Sequence, residues 1–183
     1  FDQSDTDYEF VELFNNSSDD IVISGWSLSA TNIDFTFDDF ILNAGSYLVL
    51  ARNADTFEGS IGHGGTSLLN DGDIVTLTDQ FGQSVDTVSY SDGFQGDDDL
   101  WPQGADAEGA TLELINPGLD NSVPQSWQAS FIIPGGTPGY QNSVENIYNS
   151  VVDQLGGSGG IWPGPKMRAN SNQAKQYFTG IRM

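Results

Sequence analysis

Cysteine is absent from this 183-residue chain, and histidine occurs once. The first absence removes disulfides, thiolate metal sites and cysteine nucleophiles, while leaving the redox compartment open. The second leaves a single imidazole for every mechanism that needs one. That residue, His63, lies in Ile61-Gly62-His63-Gly64-Gly65, where a loop histidine between glycines is expected to be exposed. A Ser-His-Asp triad and a zinc site both read poorly, because zinc prefers nitrogen and sulfur ligands and the chain offers mainly carboxylates. Phosphate-cradling loops are missing as well, since the glycines around His63 neither open a helix nor precede a lysine.

Cations are scarce and unevenly placed. Against 26 acidic residues there are five lysines and arginines. Only Arg52 precedes Ile161; Lys166, Arg168, Lys175 and Arg182 follow it, whereas every Asp and Glu comes before it. A polyanionic body followed by a cationic tail forms a pair of complementary surfaces, able to meet within one molecule or between neighbours. The net charge of −21 argues against phosphate backbones and anionic membranes as partners of the body, which need basic side chains to release counterions. No apolar run approaches the ~20 residues of a membrane-spanning helix. A start at Phe1 rather than Met, rich in acids, is expected of a processed mature form or a cut domain, and a secreted or cell-surface protein is the economical reading.

What is present is the punctuation of β-structure. Short alternating or β-branched runs, Tyr8 to Phe14, Ile21 to Leu28, Ile33 to Phe37, Tyr47 to Ala51, Ile74 to Thr78, Val85 to Tyr90 and Thr111 to Ile115, are separated by turn-forming Asn, Asp and Gly. This spacing predicts an all-β antiparallel sandwich or barrel. The period then changes: Val144, Ile147, Tyr148, Val151, Val152 and Leu155 share one face of a helix predicted over 143–155, with Asn142 and Glu145 spaced as a capping box. Gly156-Gly157-Ser158-Gly159-Gly160 reads as a flexible linker of about 12 Å reach, or an engineered joint. The tail over 161–183 is too short for a core of its own. It is expected to be disordered, docked on some surface, or the front edge of a further domain. The predicted organisation is therefore a β-body over 1–142, the helix, the linker over 156–160 and an extended basic tail.

Acidic turns raise calcium as a ligand, because hard oxygen donors suit it. The densest group comprises Asp92, Asp97, Asp98 and Asp99, with Asp106 and Glu108 following, and none of it has EF-hand spacing. Such a loop either stays solvated or recruits the cation. Carboxylate pairs of glycosidase type are too easily found in so acidic a chain to carry weight. The four tryptophans are dispersed, so Trp26 and Trp127 read as core and Trp101-Pro102 as a pin for a crossing loop; sugar stacking on an exposed ring stays a bare alternative.

Nine phrases in order resemble the lamin tail domain family in its bacterial, secreted form: Glu9 to Asn15, Ser24 to Leu28, Leu42 to Leu50, Ser67 to Leu77, Asp79 to Gly82, Val85 to Tyr90, Trp101-Pro102, Ala110 to Leu114 and Gly136 to Asn142. The resemblance implies an immunoglobulin-like β-sandwich and brings no catalytic residues. No sustained heptad repeat marks a coiled-coil rod, so nuclear roles are not carried over. The functional expectation is a non-catalytic extracellular structural or adhesive subunit. It would assemble through its basic tail on the acidic body of a neighbour, as a homo-oligomer, as a fibre, or with another surface protein. The partner-binding candidates are Trp162, Lys166, Arg168, Lys175, Tyr177, Phe178, Ile181 and Arg182, with residues 176–183 able to add a strand to an open sheet edge. An accessory module of a secreted hydrolase is the competing expectation. No cofactor is required by either.

Overall fold

A computed structural model describes residues 7–65, 67–105, 109–145 and 177–183. Twelve strands follow in chain order: β1 Phe10–Phe14, β2 Ile21–Val22, β3 Ser27–Ala30, β4 Ile33–Thr36, β5 Ile41–Leu42, β6 Tyr47–Ala51, β7 Ile61–Gly62, β8 Gly72–Thr78, β9 Ser84–Ser91, β10 Leu112–Leu114, β11 Trp127–Ala129 and β12 Phe178–Arg182. They form a six-stranded sheet in the order β11-β10-β12-β1-β6-β7, a four-stranded sheet β4-β3-β8-β9, and the small pair β2-β5. The two larger sheets face each other across one core, making an immunoglobulin-like sandwich. Val11, Leu13, Leu50, Leu112, Leu114 and Ile181 from one sheet meet Leu28, Val75, Leu77 and Val88 from the other.

Period-two patterning explains which residues meet there. In β8, Asp73, Val75 and Leu77 are buried while Ile74 is exposed; in β9, Asp86, Val88 and Tyr90 are buried between more accessible neighbours. Trp26, Trp101 and Trp127 all join the core, as expected from their large apolar area.

Three details differ from the sequence reading. The run expected from Ile21 to Leu28 is two strands, because Gly25 adopts φ 77° and Trp26 N–H closes a turn onto Ile23 C=O at 3.0 Å. One pair is parallel rather than antiparallel: β7 runs beside β6 in register Leu50 to Ile61. The intervening loop folds back so that Phe57 packs on Phe10, Val49 and Ala51, which returns the chain in the same direction. Finally, His63 is buried, not exposed. Its N–H bonds Ala51 C=O at 3.0 Å and its Nδ1 accepts Gly65 N–H at 3.1 Å. Burial, then the charge of Arg52, holds its pKa below the ordinary imidazole value, so it stays neutral.

Of the predicted helix, residues 143–145 are helical and the remainder lies outside the described residues, as do the linker and residues 161–176 of the tail. Among the described residues no helix is long and apolar enough to cross a membrane.

Candidate functional site

The last strand in the sequence is an interior strand of the larger sheet. β12 lies between β1 and β10, antiparallel to both, with Phe10 opposite Arg182, Val11 opposite Ile181 and Glu12 opposite Gly180. On its other side Leu112 faces Ile181 and Glu113 faces Gly180. Without it, β1 and β10 would each present a row of unpaired amides and carbonyls in mid-sheet. The tail therefore supplies strand pairing as the sequence allowed, but to a slot between two strands and not to an outer edge.

Inward from β12, Phe178 and Ile181 are fully buried, each stabilising by about 1.5–3 kcal/mol relative to exposure. Just ahead of the strand, Tyr177 meets the indole of Trp26 edge-on at 5.8 Å between ring centres. The register slips between Glu12 and Leu13, which pairs Leu13 with Phe178 and leaves Thr179 as an extra residue. This bulge lets Phe178 and Ile181, three apart in sequence, both face the core.

The strand enters through a polar clamp. Asp86, on β9 of the opposite sheet, accepts the N–H groups of Tyr177 and Phe178, the second at 2.9 Å, together with Asn121 Nδ2 at 3.0 Å. Asn121 also donates to Phe178 C=O at 3.4 Å, and its own carbonyl accepts Trp127 Nε1 at 2.8 Å. Tyr177 C=O takes Phe14 N–H at 2.8 Å. Burial pushes the Asp86 carboxyl above its ordinary pKa, while the amides of Tyr177 and Phe178 oppose that shift. Next to it, Tyr177 is pushed up to about 12 by burial and then by Asp86.

On the outer face two carboxylates flank Gly180. Glu12 accepts Gly139 N–H at 2.7 Å and the Thr179 hydroxyl at 3.1 Å. Glu113 accepts the hydroxyls of Thr137 at 3.0 Å and Ser143 at 2.6 Å, with Val144 N–H at 3.3 Å. Segment 131–145 thus closes over the face, and both acids are buried. Loss of hydration raises Glu12 to about 8 against the pull of those donors, and Glu113 adds to the rise. Asn142, expected as a helix cap, spends its Nδ2 across the sheet, donating to Leu114 C=O at 2.9 Å and Thr179 C=O at 2.8 Å. At the far end the Arg182 guanidinium stands 5.6 Å from the Tyr8 ring centre. Around it Tyr8, Phe57, Pro134, Gly135 and Pro138 line a cavity of about 210 Å³.

Four of the eight partner-binding candidates, Tyr177, Phe178, Ile181 and Arg182, come together in this slot. Trp162, Lys166, Arg168 and Lys175 lie outside the described residues. Asp86, Asn121, Glu12, Glu113 and Gly180 are not among the residues the sequence singles out for this site, and Asn142 is singled out only as a helix cap. Asp86 left a trace in the sequence, since it alternates with Val88 and Tyr90 on a face otherwise apolar. For Glu12 and Glu113 the alternation marks an outward face, and only segment 131–145 makes that face buried.

The acidic turn is spent differently. Asp92 accepts Phe94 N–H at 2.8 Å, and Asp99 accepts the Ser91 hydroxyl, Gln95 N–H at 3.1 Å and Trp101 N–H at 3.1 Å. These donors, the Ser91 hydroxyl first, hold Asp99 below the ordinary carboxylate range. Asp97 and Asp98 are exposed, and Asp106 and Glu108 lie outside the described residues. Among the described residues no three acidic or histidine side chains gather in a metal-binding group.

The described residues thus form an immunoglobulin-like sandwich whose larger sheet is completed by the C-terminal strand. The family model for the lamin tail domain matches residues 1–92, and the chain belongs to that family. It is a non-catalytic immunoglobulin-like domain family. The phrases from Trp101 onward, and strands β10 to β12, lie beyond the matched span. No curated protein matches the chain significantly.

Proposed function

We propose that the chain is a non-catalytic extracellular structural or adhesive subunit that assembles with copies of itself through its C-terminal tail. The observation that carries this reading is the position of residues 178–182: a segment with a cationic approach, last in the chain, fills an interior place in an acidic body. Segment and body are chemically matched in three ways. Phe178 and Ile181 fit the core, the amides of Tyr177 and Phe178 fit Asp86, and Arg182 fits the ring of Tyr8. A heterologous contact of this type builds rings or fibres according to whether its rotation closes.

Light scattering on the intact protein tests the reading. The expected result is a mass that rises with concentration in multiples of the 19.7 kDa protomer. A single protomer mass at every concentration would sink it. Added salt lowers the mass where tail–body charge attraction dominates, and leaves it unchanged where the apolar anchors Phe178 and Ile181 dominate.

A further inference from the structure

Resting on that assembly reading, we propose that the slot between β1 and β10 exchanges its occupant: the C-terminal strand of a second copy replaces the chain's own, in the same register. Assembly thus proceeds by strand exchange, and not by docking of the tail on the outside of a neighbour's body.

Three observations point this way. First, among the described residues the groups that hold β12 belong to segments separated from it by a long stretch of chain: β1, β9, β10, Asn121 and Asn142 all precede residue 146. Between residues 145 and 177 lie about 30 residues, including Gly156-Gly157-Ser158-Gly159-Gly160. Stretched out, such a length spans on the order of 100 Å, whereas a body of about 140 residues has a radius of gyration of only about 14 Å. A neighbour's slot is therefore within range. Second, a second copy brings an identical strand, so exchange preserves each hydrogen bond, the Phe178 and Ile181 anchors and the Arg182 contact. The balance between own and foreign strand is then set by effective concentration, not by contact energy. Third, an empty slot would expose two unpaired strands and the pocket for Phe178 in mid-sheet, so a chain that lends its strand must receive one. That condition commits the occupant to a copy of this chain, and the exchange closes on itself or runs on according to the rotation it imposes.

The slot also reads its occupant. A side chain at position 180 would place its Cβ 3.3 Å from Glu12 Cβ and 3.4 Å from Phe10. Closure by segment 131–145 leaves Glu12 little room to yield. Gly180 thus fixes the register in which the bulge and the clamp coincide.

The absence of native cysteine permits a direct experiment. Val11→Cys and Ile181→Cys are introduced into separate full-length chains, which are unfolded, mixed, refolded together and oxidised. Val11 and Ile181 are directly opposed in the register, which puts their Cβ atoms near disulfide range. Exchange predicts a product of twice the protomer mass whose digest contains the 11–181 cystine. Adding Gly180→Val to the Ile181→Cys chain is expected to reduce that product at least tenfold. The chain carrying both cysteines serves as a control for strand placement. If it closes only upon itself, and the mixture yields no 11–181 link, the exchange proposal is overturned. It is equally overturned if neither preparation links. Should light scattering still find large particles in those cases, assembly stands by another contact, which separates the two failures.

Discussion

The two sheets of the sandwich are built by different rules. The four-stranded sheet is two local hairpins set side by side: β3 pairs β4 across a two-residue turn, β8 pairs β9 across another short turn, and only the β3–β8 seam, with Ser27 opposite Thr78, joins distant segments. The six-stranded sheet joins β1 to a strand from the other end of the chain and buries Glu12, Glu113 and Arg182 on its outer face. One sheet thus rests on hairpins, local units that any copy keeps to itself. The other depends on a distant segment, and buried acids are tolerated there because each carboxyl group meets several donors.

That contrast can be broken most forcefully at Phe178. Phe178→Ala should destabilise by about 3–5 kcal/mol in urea unfolding, whereas Ile74→Ala on the exposed side of β8 should cost about 0.5 kcal/mol or less. Equal losses would erase the asymmetry between the sheets.

Second comes pH. Because Glu12 holds its proton up to about 8 in the folded state and only to its ordinary value when unfolded, the folded state binds more protons between those limits. Stability should fall by several kcal/mol as pH rises from about 4.5 to 8, and level off above. Asp86, also raised, adds to the slope at its acidic end. Glu12→Gln should flatten most of it. A slope unchanged in that variant would assign the effect to general charge repulsion.

Next in size is the clamp. Asp86→Ala leaves two buried amides at the entry of β12 without their acceptor and should cost about 2 kcal/mol, Asp86→Asn less. Either loss should appear as faster exchange of the amides of β12, with the four-stranded sheet little changed.

The smallest effect belongs to the acidic turn. Replacing exposed Asp97 and Asp98 by Asn should move stability by less than about 0.5 kcal/mol. A melt with and without chelator is expected to superimpose, since the described neighbours Asp92 and Asp99 already satisfy local amides. A melting temperature raised by calcium would show that the solvated reading of this loop was incorrect.

How much of this could be read from sequence follows the same division. Strands β4, β6, β8 and β9 were legible because alternation and turn residues are local properties, and the span Tyr47–Ala51 matches β6 to the residue, whereas β3 was merged with β2 across Gly25. Strands of two or three residues such as β5, β7 and β11 carry too short a period to register. In Phe178-Thr179-Gly180-Ile181 the bulge at Thr179 breaks the alternation, so the anchors stand three apart, a spacing that fits a helix face and not a regular strand. The tail's ability to add a strand was legible from its composition; its interior place was not, because that depends on a gap between β1 and β10, both far from the tail in sequence. Nor could the burial of His63 be inferred, since the turn that covers it is made by backbone contacts to Ala51 and Gly65.

The central claim is that the end of the chain is structural and interior to the sheet, whichever copy provides it. Amide hydrogen exchange over residues 178–182 of the intact protein tests this most directly, because it reports pairing without regard to which chain donates the strand. Protection matching that of Val11 to Leu13 on β1 is the predicted result. Exchange at the rate of an unstructured peptide, with β1 still protected, would contradict it.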